Sequence, residues 1–319
     1  MSERTYRVVF MGCPEFAIPP LQALLVAPDF KVAAVYCMPD RPKGRGKLCT
    51  PTPVKEFALK HGLEVNSPAS FRKFPEEIEK LQSYQPDFLV VVAYGLILPQ
   101  EVLDIPAIAP VNVHASLLPA YRGPSPIHHA LINGDRVTGN TIMLMNSKMD
   151  EGDVLAVSKI EIHPDDNLES LHDKLSLDGA GLLIPTLKGF AEGLIIPVTQ
   201  DHSKASYTGK IGPQTAWLDF SRSAAALLNL IRAMSPFPGA WFNDGEERIK
   251  VFKASEGPQN TGKPGTVKIE DNKILVGCGN DSSIYLNELQ RPGKSRLGAA
   301  EFLRGYQFKN NPIVYTKTC

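Results

Sequence analysis

The chain has no run approaching the roughly 18 apolar residues needed to span a bilayer, so no membrane partner is expected. It has no net charge either: 34 Lys plus Arg balance 34 Asp plus Glu over 319 residues. That removes any argument from a global polyelectrolyte. Cysteines number five (Cys13, Cys37, Cys49, Cys278 and Cys319), with no C-x-x-C pair. An odd count without thiolate-site spacing predicts neither a disulfide framework nor a zinc site, and suits a reducing cytosol. No apolar signal core or Arg/Ser-rich transit segment stands ahead of Val8-Val-Phe-Met11, and the expectation is a cytoplasmic protein. No G-x-S-x-G elbow and no H-E-x-x-H occur. The first turn, "MGCPEF", lacks the three-glycine fingerprint, which weighs against a nicotinamide dehydrogenase.

What is present is an ordinary globular composition, 43% apolar and 21% charged, on a chain long enough for two domains. Residues 6–37 read strand, turn, helix, strand, and both strands are nearly continuous apolar runs. Parallel strands buried on both faces have that texture. The alternation continues with a helix over 52–61, a short strand at 63–65 and a helix over 75–84. The strongest strand of the chain, Phe88 to Ala93, follows. The pattern predicts an α/β fold with an N-terminal Rossmann-like open, mostly parallel sheet, whose ligands bind at the carboxyl ends of the strands. Further strands are expected at 141–145 and 152–157, and a closing helix over 168–190.

After Gly193 the periodicity stops and the polar run "QDHSKASYTG" reads as a linker. A helix over 223–234 and the turn Pro236-Phe-Pro-Gly239 come next. Beyond them, apolar segments of four to six residues alternate with Gly, Pro, Asn and Asp, as in a small C-terminal β-barrel, OB-like in size. The expected division is 1–190, a linker over 191–206, and 207–319. From Tyr207 onward, 15 Lys plus Arg stand against 10 Asp plus Glu. The surplus hints at an anionic partner but equally fits a solvated surface.

The segment Asn112 to Gly123, "NVHASLLPAYRG", is the least ordinary stretch. Side chains alternate along a strand, so Asn112 and His114 share one face and Val111, Val113 and Ala115 the other. Two polar groups on one face at a strand end, each costly to bury unbonded, sit where α/β sheets keep active sites. Downstream, "MDEGD" offers Asp150 and Asp153, either of which could orient the imidazole. Spacing alone does not choose between them. The run Pro39 to Lys47, "PDRPKGRGK", places Arg41, Lys43, Arg45 and Lys47 on a Gly/Pro backbone after the second strand. It is expected as an irregular arm rather than a helix or sheet strand, suited to contacting phosphates.

"N-x-H-x-S-L-L-P-x-x-x-G" with the downstream "MDEGD" resembles the signature of the 10-formyl-tetrahydrofolate-dependent formyltransferases. "FMGCPEFA", the basic arm and "IRAMSPFPGAW" are similar to the members of that family that act on methionyl-tRNA. The resemblance spans nearly the whole chain and thins after residue 255. It implies an enzyme that moves the formyl group of 10-formyl-tetrahydrofolate, a co-substrate, onto the α-amine of methionine on initiator methionyl-tRNA. It implies a monomer and no metal. Residue by residue, it makes Asn112, His114 and Asp150 the catalytic trio, and gives Ser116, Leu117, Leu118 and Pro119 to a folate-binding turn. Tyr94, Gly95 and Leu96 would wall the pterin slot, and Arg41, Lys43, Arg45 and Lys47 would contact tRNA. An exposed Leu117-Leu118 pair would suit a flat aromatic ring. Cys13 stands where the family usually has Thr, and Ala120 where Arg is common.

Overall fold

The computed structural model describes residues 4–43, 48–259, 262–309, 311 and 313. They form two compact units. The first comprises residues 1–123, 137–161 and 172–208, and the second 124–136, 162–171 and 209–319.

The first unit opens with β1 (Tyr6–Gly12), α1 (Ile18–Val26) and β2 (Phe30–Tyr36). The short strands β3 (Arg41–Lys43) and β4 (Leu48–Thr50) pair antiparallel as a two-stranded ribbon. The basic arm was expected to be irregular, yet both of its flanks are strand. Asp40 at its base accepts from Lys55 Nζ at 2.8 and 2.9 Å, which fixes one end of the ribbon to the next helix. Arg45 and Lys47 lie outside the described residues. Then come α2 (Pro53–Lys60), β5 (Val65–Asn66), α3 (Glu76–Ser83), β6 (Phe88–Val92), α4 (Gln100–Leu103) and β7 (Ala109–His114). Thr52 caps α2 by accepting from Lys55 N at 3.3 Å. Pro75 precedes α3 as its cap residue rather than opening the helix. After α5 (Pro126–Asn133), which belongs to the second unit, the first unit resumes with β8 (Val137–Leu144) and β9 (Val154–Glu161). The long helix α6 (Leu168–Ala191) follows.

The seven-stranded sheet has the order β5-β2-β1-β6-β7-β8-β9. Its first five strands run parallel and the last two pair antiparallel. The sequence steps outward from β1 to β2 and β5, then restarts on the other side of β1 with β6. The reversal makes a crevice at the carboxyl ends of β1 and β6, the position where open α/β sheets bind ligands. Register puts Met11, Val91 and Asn112 abreast on one face. That face is filled by a cluster of Val9, Met11, Tyr36, Leu89, Val91 and Tyr94 with residues of α3 and α4. On the opposite face Gly179 of α6 lets the helix approach closely: a Cβ there would stand 3.1 Å from Val113 Cγ1.

The second unit contains α7 (Ala224–Ala233). Ser223 caps it by accepting from Ala226 N, and α5 packs against it. The unit continues with β10 (Ala240–Asp244), β11 (Glu247–Glu256), β12 (Val267–Glu270), β13 (Lys273–Gly277), β14 (Ser283–Gln290), β15 (Arg296–Gly298) and α8 (Ala299–Arg304). The six strands form one antiparallel sheet in the order β10-β11-β14-β13-β12, with β15 on β14. Register shifts in β11 between Val251 and Ala254 are the irregularities that bend a small sheet. A mostly parallel α/β sheet followed by a small antiparallel β unit is the architecture the sequence pattern predicts.

Candidate active site

β7 ends on His114, and the chain breaks there because Ser116 N turns back onto His114 O at 2.9 Å. The turn that follows is internally bonded. Ser116 is fully buried and its hydroxyl donates to Ala120 O at 2.7 Å. Thr141, directly across from His114 on β8, donates to Ser116 O at 2.7 Å and accepts from Leu118 N at 3.1 Å. The Leu118–Pro119 bond is cis. Leu118 is only 9% exposed and Leu117 is half-buried. The leucine pair is therefore not the exposed apolar surface expected, because the cross-strand Thr141 draws the turn back onto the sheet. Leu117 lies over Gly139, where a Cβ would stand 2.7 Å from its Cδ2.

His114 is 7% exposed. Its Nε2 lies 3.0 Å from Tyr121 O, an atom that can only accept, so Nε2 carries a proton. Its Nδ1 faces Asp150 Oδ2 at 3.8 Å. That is too long for a hydrogen bond and close enough for an ion pair. The same carboxylate oxygen accepts from Gly123 N at 2.7 Å. Asp150 sits at φ +54°, in the left-handed region that Asp tolerates better than most residues. Gly152 allows the tight turn after it, since a Cβ would fall 1.8 Å from Leu144 O. Asn112, two residues before His114 on the same face, is half-buried, and its side chain has no hydrogen-bond partner among the described residues. His114 and Asp150 thus face each other, and Asn112 lies two residues before His114 on the same strand face. Asp153 instead gives its backbone carbonyl to Leu144 N at 2.9 Å.

Tyr94, Gly95 and Leu96 follow β6, the strand beside β7, at the crevice. Gly95, at φ +93°, is exposed and Leu96 half-buried, while the Tyr94 ring is 2% exposed within the core. The Tyr94 and Tyr36 hydroxyls are buried without a hydrogen-bond partner among the described residues, and burial pushes both phenols well above their ordinary range. Tyr94 contributes its carbonyl instead, accepting from Cys13 Sγ at 3.0 Å. Met38 N donates to that sulfur at 3.2 Å, so Cys13 ties the ends of β1, β2 and β6 together. Burial raises its thiol pKa. Of the cations after residue 290, Arg291 pairs with Glu247 at 2.7 Å and Arg296 lies 3.6 Å over the Phe252 ring. Among the described residues no group of three or more His, Cys, Asp and Glu gathers as a metal site, and no helix is long and apolar enough to cross a membrane.

Several residues around the Asp150 loop carry no signal in the sequence pattern. Arg122 has no exposed surface, and its guanidinium reaches Gln200 Oε1, Tyr207 Oη and Glu151. Gln200, 5% exposed, donates to Asp150 O at 2.9 Å and Gly152 O at 2.7 Å. Segment 191–206, expected as a linker, is thus bonded into the first unit: Val198 pairs with Val154, and Ser206 O accepts from Arg122 N. The one hint available was the place of Arg122 beside Gly123 in the motif. Gln200 sits in a polar, aperiodic run that offers none.

Residues 7–187 match the formyl transferase family model, and residues 210–307 match the model of the formyl transferase C-terminal domain. The methionyl-tRNA formyltransferase of Clostridium novyi (strain NT) is 44% identical over 310 residues, 97% of this chain and 99% of that protein. The methionyl-tRNA formyltransferase of Bacillus subtilis (strain 168) is 43% identical over 310 residues, 97% of each. Among solved structures, an N-formyltransferase from Helicobacter canadensis in complex with folinic acid and dTDP-3-aminofucose superposes with a TM-score of 0.64 at 16% identity, covering 90% of this chain and 99% of that one. HypX from Aquifex aeolicus in complex with tetrahydrofolic acid gives 0.61 at 19% identity, over 94% of this chain and 48% of that one. At such identities the structural likeness concerns the fold. With both family models matched along most of its length, the chain belongs to the formyl transferase family.

Proposed function

We propose that this protein transfers the formyl group of 10-formyl-tetrahydrofolate to the α-amino group of methionine on initiator methionyl-tRNA, giving N-formylmethionyl-tRNA for translation initiation. In this reading it acts in the cytoplasm as a monomer. Residues 1–190 hold the catalytic part and 207–319 the tRNA-binding part, with 191–206, between them in sequence, packed on the first unit. Relatives of that name, alike over nearly their whole length, support the substrate. The observation that carries the chemistry is the His114–Asp150 pair at 3.8 Å, with the Asn112 amide, unpartnered among the described residues, on the strand face of His114.

The amine nitrogen attacks the formyl carbon and the carbonyl oxygen becomes an oxyanion; on collapse the bond from the formyl carbon to N10 breaks, and N10 of tetrahydrofolate takes up a proton as the amine gives one up. Asn112 N–H is a donor for that charge with no competing partner among the described residues. Because Nε2–H of His114 is committed to Tyr121 O, Nδ1 is the imidazole nitrogen left to face the reaction. Asp150 Oδ2 faces that nitrogen at 3.8 Å and orients the ring without claiming Nδ1 in a hydrogen bond. In this reading the folate donor binds at the carboxyl ends of β6 and β7, against Gly95 and Leu96 and the Ser116 to Pro119 turn. Ser116 serves through its backbone turn, its hydroxyl being spent on Ala120 O. Arg41, Lys43, Arg45 and Lys47 are proposed as phosphate contacts.

The test supplies a labelled formyl donor with methionyl initiator tRNA, methionyl elongator tRNA and an amino sugar nucleotide in parallel. Label is expected on the initiator species. Equal labelling of the elongator, or label on the sugar alone, would overturn the proposed substrate.

A further inference from the structure

Asp150 depends on its loop for the position of its carboxylate, and that loop is gripped by a single buried amide. The Gln200 nitrogen donates to the two carbonyls that flank Glu151, those of Asp150 and Gly152. Its oxygen accepts from Arg122 Nε at 3.2 Å and Nη2 at 2.8 Å. The orientation of this amide is forced: a guanidinium only donates and a backbone carbonyl only accepts, so the flipped amide would lose every bond. Arg122 is held in turn by Tyr207 Oη at 3.0 Å and His202 Nδ1 at 3.1 Å. Its charge faces Glu151 Oε1 at 3.4 Å. Arg122 also adjoins Gly123, whose N–H binds the Asp150 carboxylate. The two ends of the bond between Gly123 and Asp150 are therefore carried by one network, although Gln200 touches neither His114 nor the carboxylate.

We propose that Gln200, buttressed by the buried Arg122, is a positioning residue that sets the Asp150 carboxylate against His114. The inference rests on the proposed role of Asp150. The pair distance of 3.8 Å is poised. A loop shift of about 1 Å either makes a hydrogen bond or abolishes the interaction, and displacements of that size cost roughly 100-fold in rate.

Gln200→Glu is the discriminating variant. It keeps the size and both contacts to Arg122, and replaces the donating nitrogen with an oxygen facing two carbonyl oxygens. Gln200→Leu is the second variant, removing both contacts without adding charge. Turnover is measured in wild type, in each variant, in Asp150→Asn and in the double variants, alongside hydrogen exchange at the Gly123 amide. We expect Gln200→Glu to lower kcat about 10- to 100-fold with KM for either substrate within about threefold. In the Asp150→Asn background it should have almost no further effect, since both changes remove one contribution. Exchange at Gly123 should accelerate in both variants. An equal loss of kcat in the Asp150→Asn background would overturn the positioning role, as would unchanged protection of Gly123. Absence of formyl transfer by the wild type would refute the proposed function instead, and the exchange measurement would still decide whether Gln200 holds the loop.

Discussion

Thr141 offers the sharpest test of how the turn after His114 is built. Its side chain is fully buried on β8, and its hydroxyl makes two bonds at once, to Ser116 O at 2.7 Å and from Leu118 N at 3.1 Å. Thr141→Val exchanges that hydroxyl for a methyl of similar volume. A burial argument alone predicts little change or a gain. The hydrogen-bond argument predicts a large loss, because two backbone groups are left buried and unpaired at about 1–3 kcal/mol each. We expect a net destabilisation of about 2–4 kcal/mol. Thr141→Ser keeps both bonds and deletes one methyl, for about 0.5–1.5 kcal/mol. With a urea slope of about 2 kcal/mol/M, the Val variant should move the midpoint down by roughly 1–2 M. Both tryptophans, Trp217 and Trp241, lie in the second unit. Backbone circular dichroism and hydrogen exchange at Leu118, rather than tryptophan fluorescence, therefore report the change. A Val variant as stable as the Ser variant, or more so, would refute the claim that Thr141 holds the turn by its hydroxyl.

His114→Ala and Asp150→Ala should each reduce turnover by roughly 10²- to 10⁴-fold while circular dichroism stays native; near-wild-type turnover would remove them from the proposed chemistry. Gly152→Ala pushes a Cβ to within 1.8 Å of Leu144 O. The Asp150 loop must then move, and steady-state kinetics should show at least about a tenfold loss of kcat. Burial pushes the Cys37 and Cys278 thiols up to about 12. At pH 8, alkylation mapped by mass spectrometry should therefore mark the exposed Cys49 and spare both. Since the native chain keeps those two thiol protons that the unfolded chain releases above about pH 9, stability should fall as pH rises from about 9 toward 12. Arg45→Ala should weaken tRNA binding at low salt and have less effect at high salt; equal affinity at low salt would take this residue out of the interface.

Much of the fold is legible along the chain because its elements carry local signals. The middle of β1 and the whole of β6 are unbroken apolar runs since both of their faces are covered, as the buried Val8 to Met11 and Phe88 to Val92 record. Thr52 and Ser223 announce the starts of α2 and α7 through their capping hydroxyls. The ribbon of β3 and β4 is not legible, because a strand of Arg, Pro and Lys has neither alternation nor β-branched residues, and its pairing comes from the chain folding back on itself. Segment 191–206 misleads for a related reason. Gln200 is polar and therefore looks solvated, and only its bonds to Arg122, Asp150 and Gly152 make it a buried residue.

The candidate residues for the proposed chemistry are written in the chain. Asn112 and His114 share a face because strand side chains alternate, whatever the rest of the molecule does. Asp150 and Asp153 stand there as equals, since both flank the same glycine turn. Packing in three dimensions chose between them by aiming one carboxylate at His114 and spending the backbone of the other on Leu144. It also chose the strand order that sets the end of β6 beside β7, and the buried bonds of Thr141, Arg122 and Gln200. Periodicity is a property of neighbours in sequence. Hydrogen-bond partners far apart along the chain are selected only when packing excludes water and every buried donor must find its acceptor.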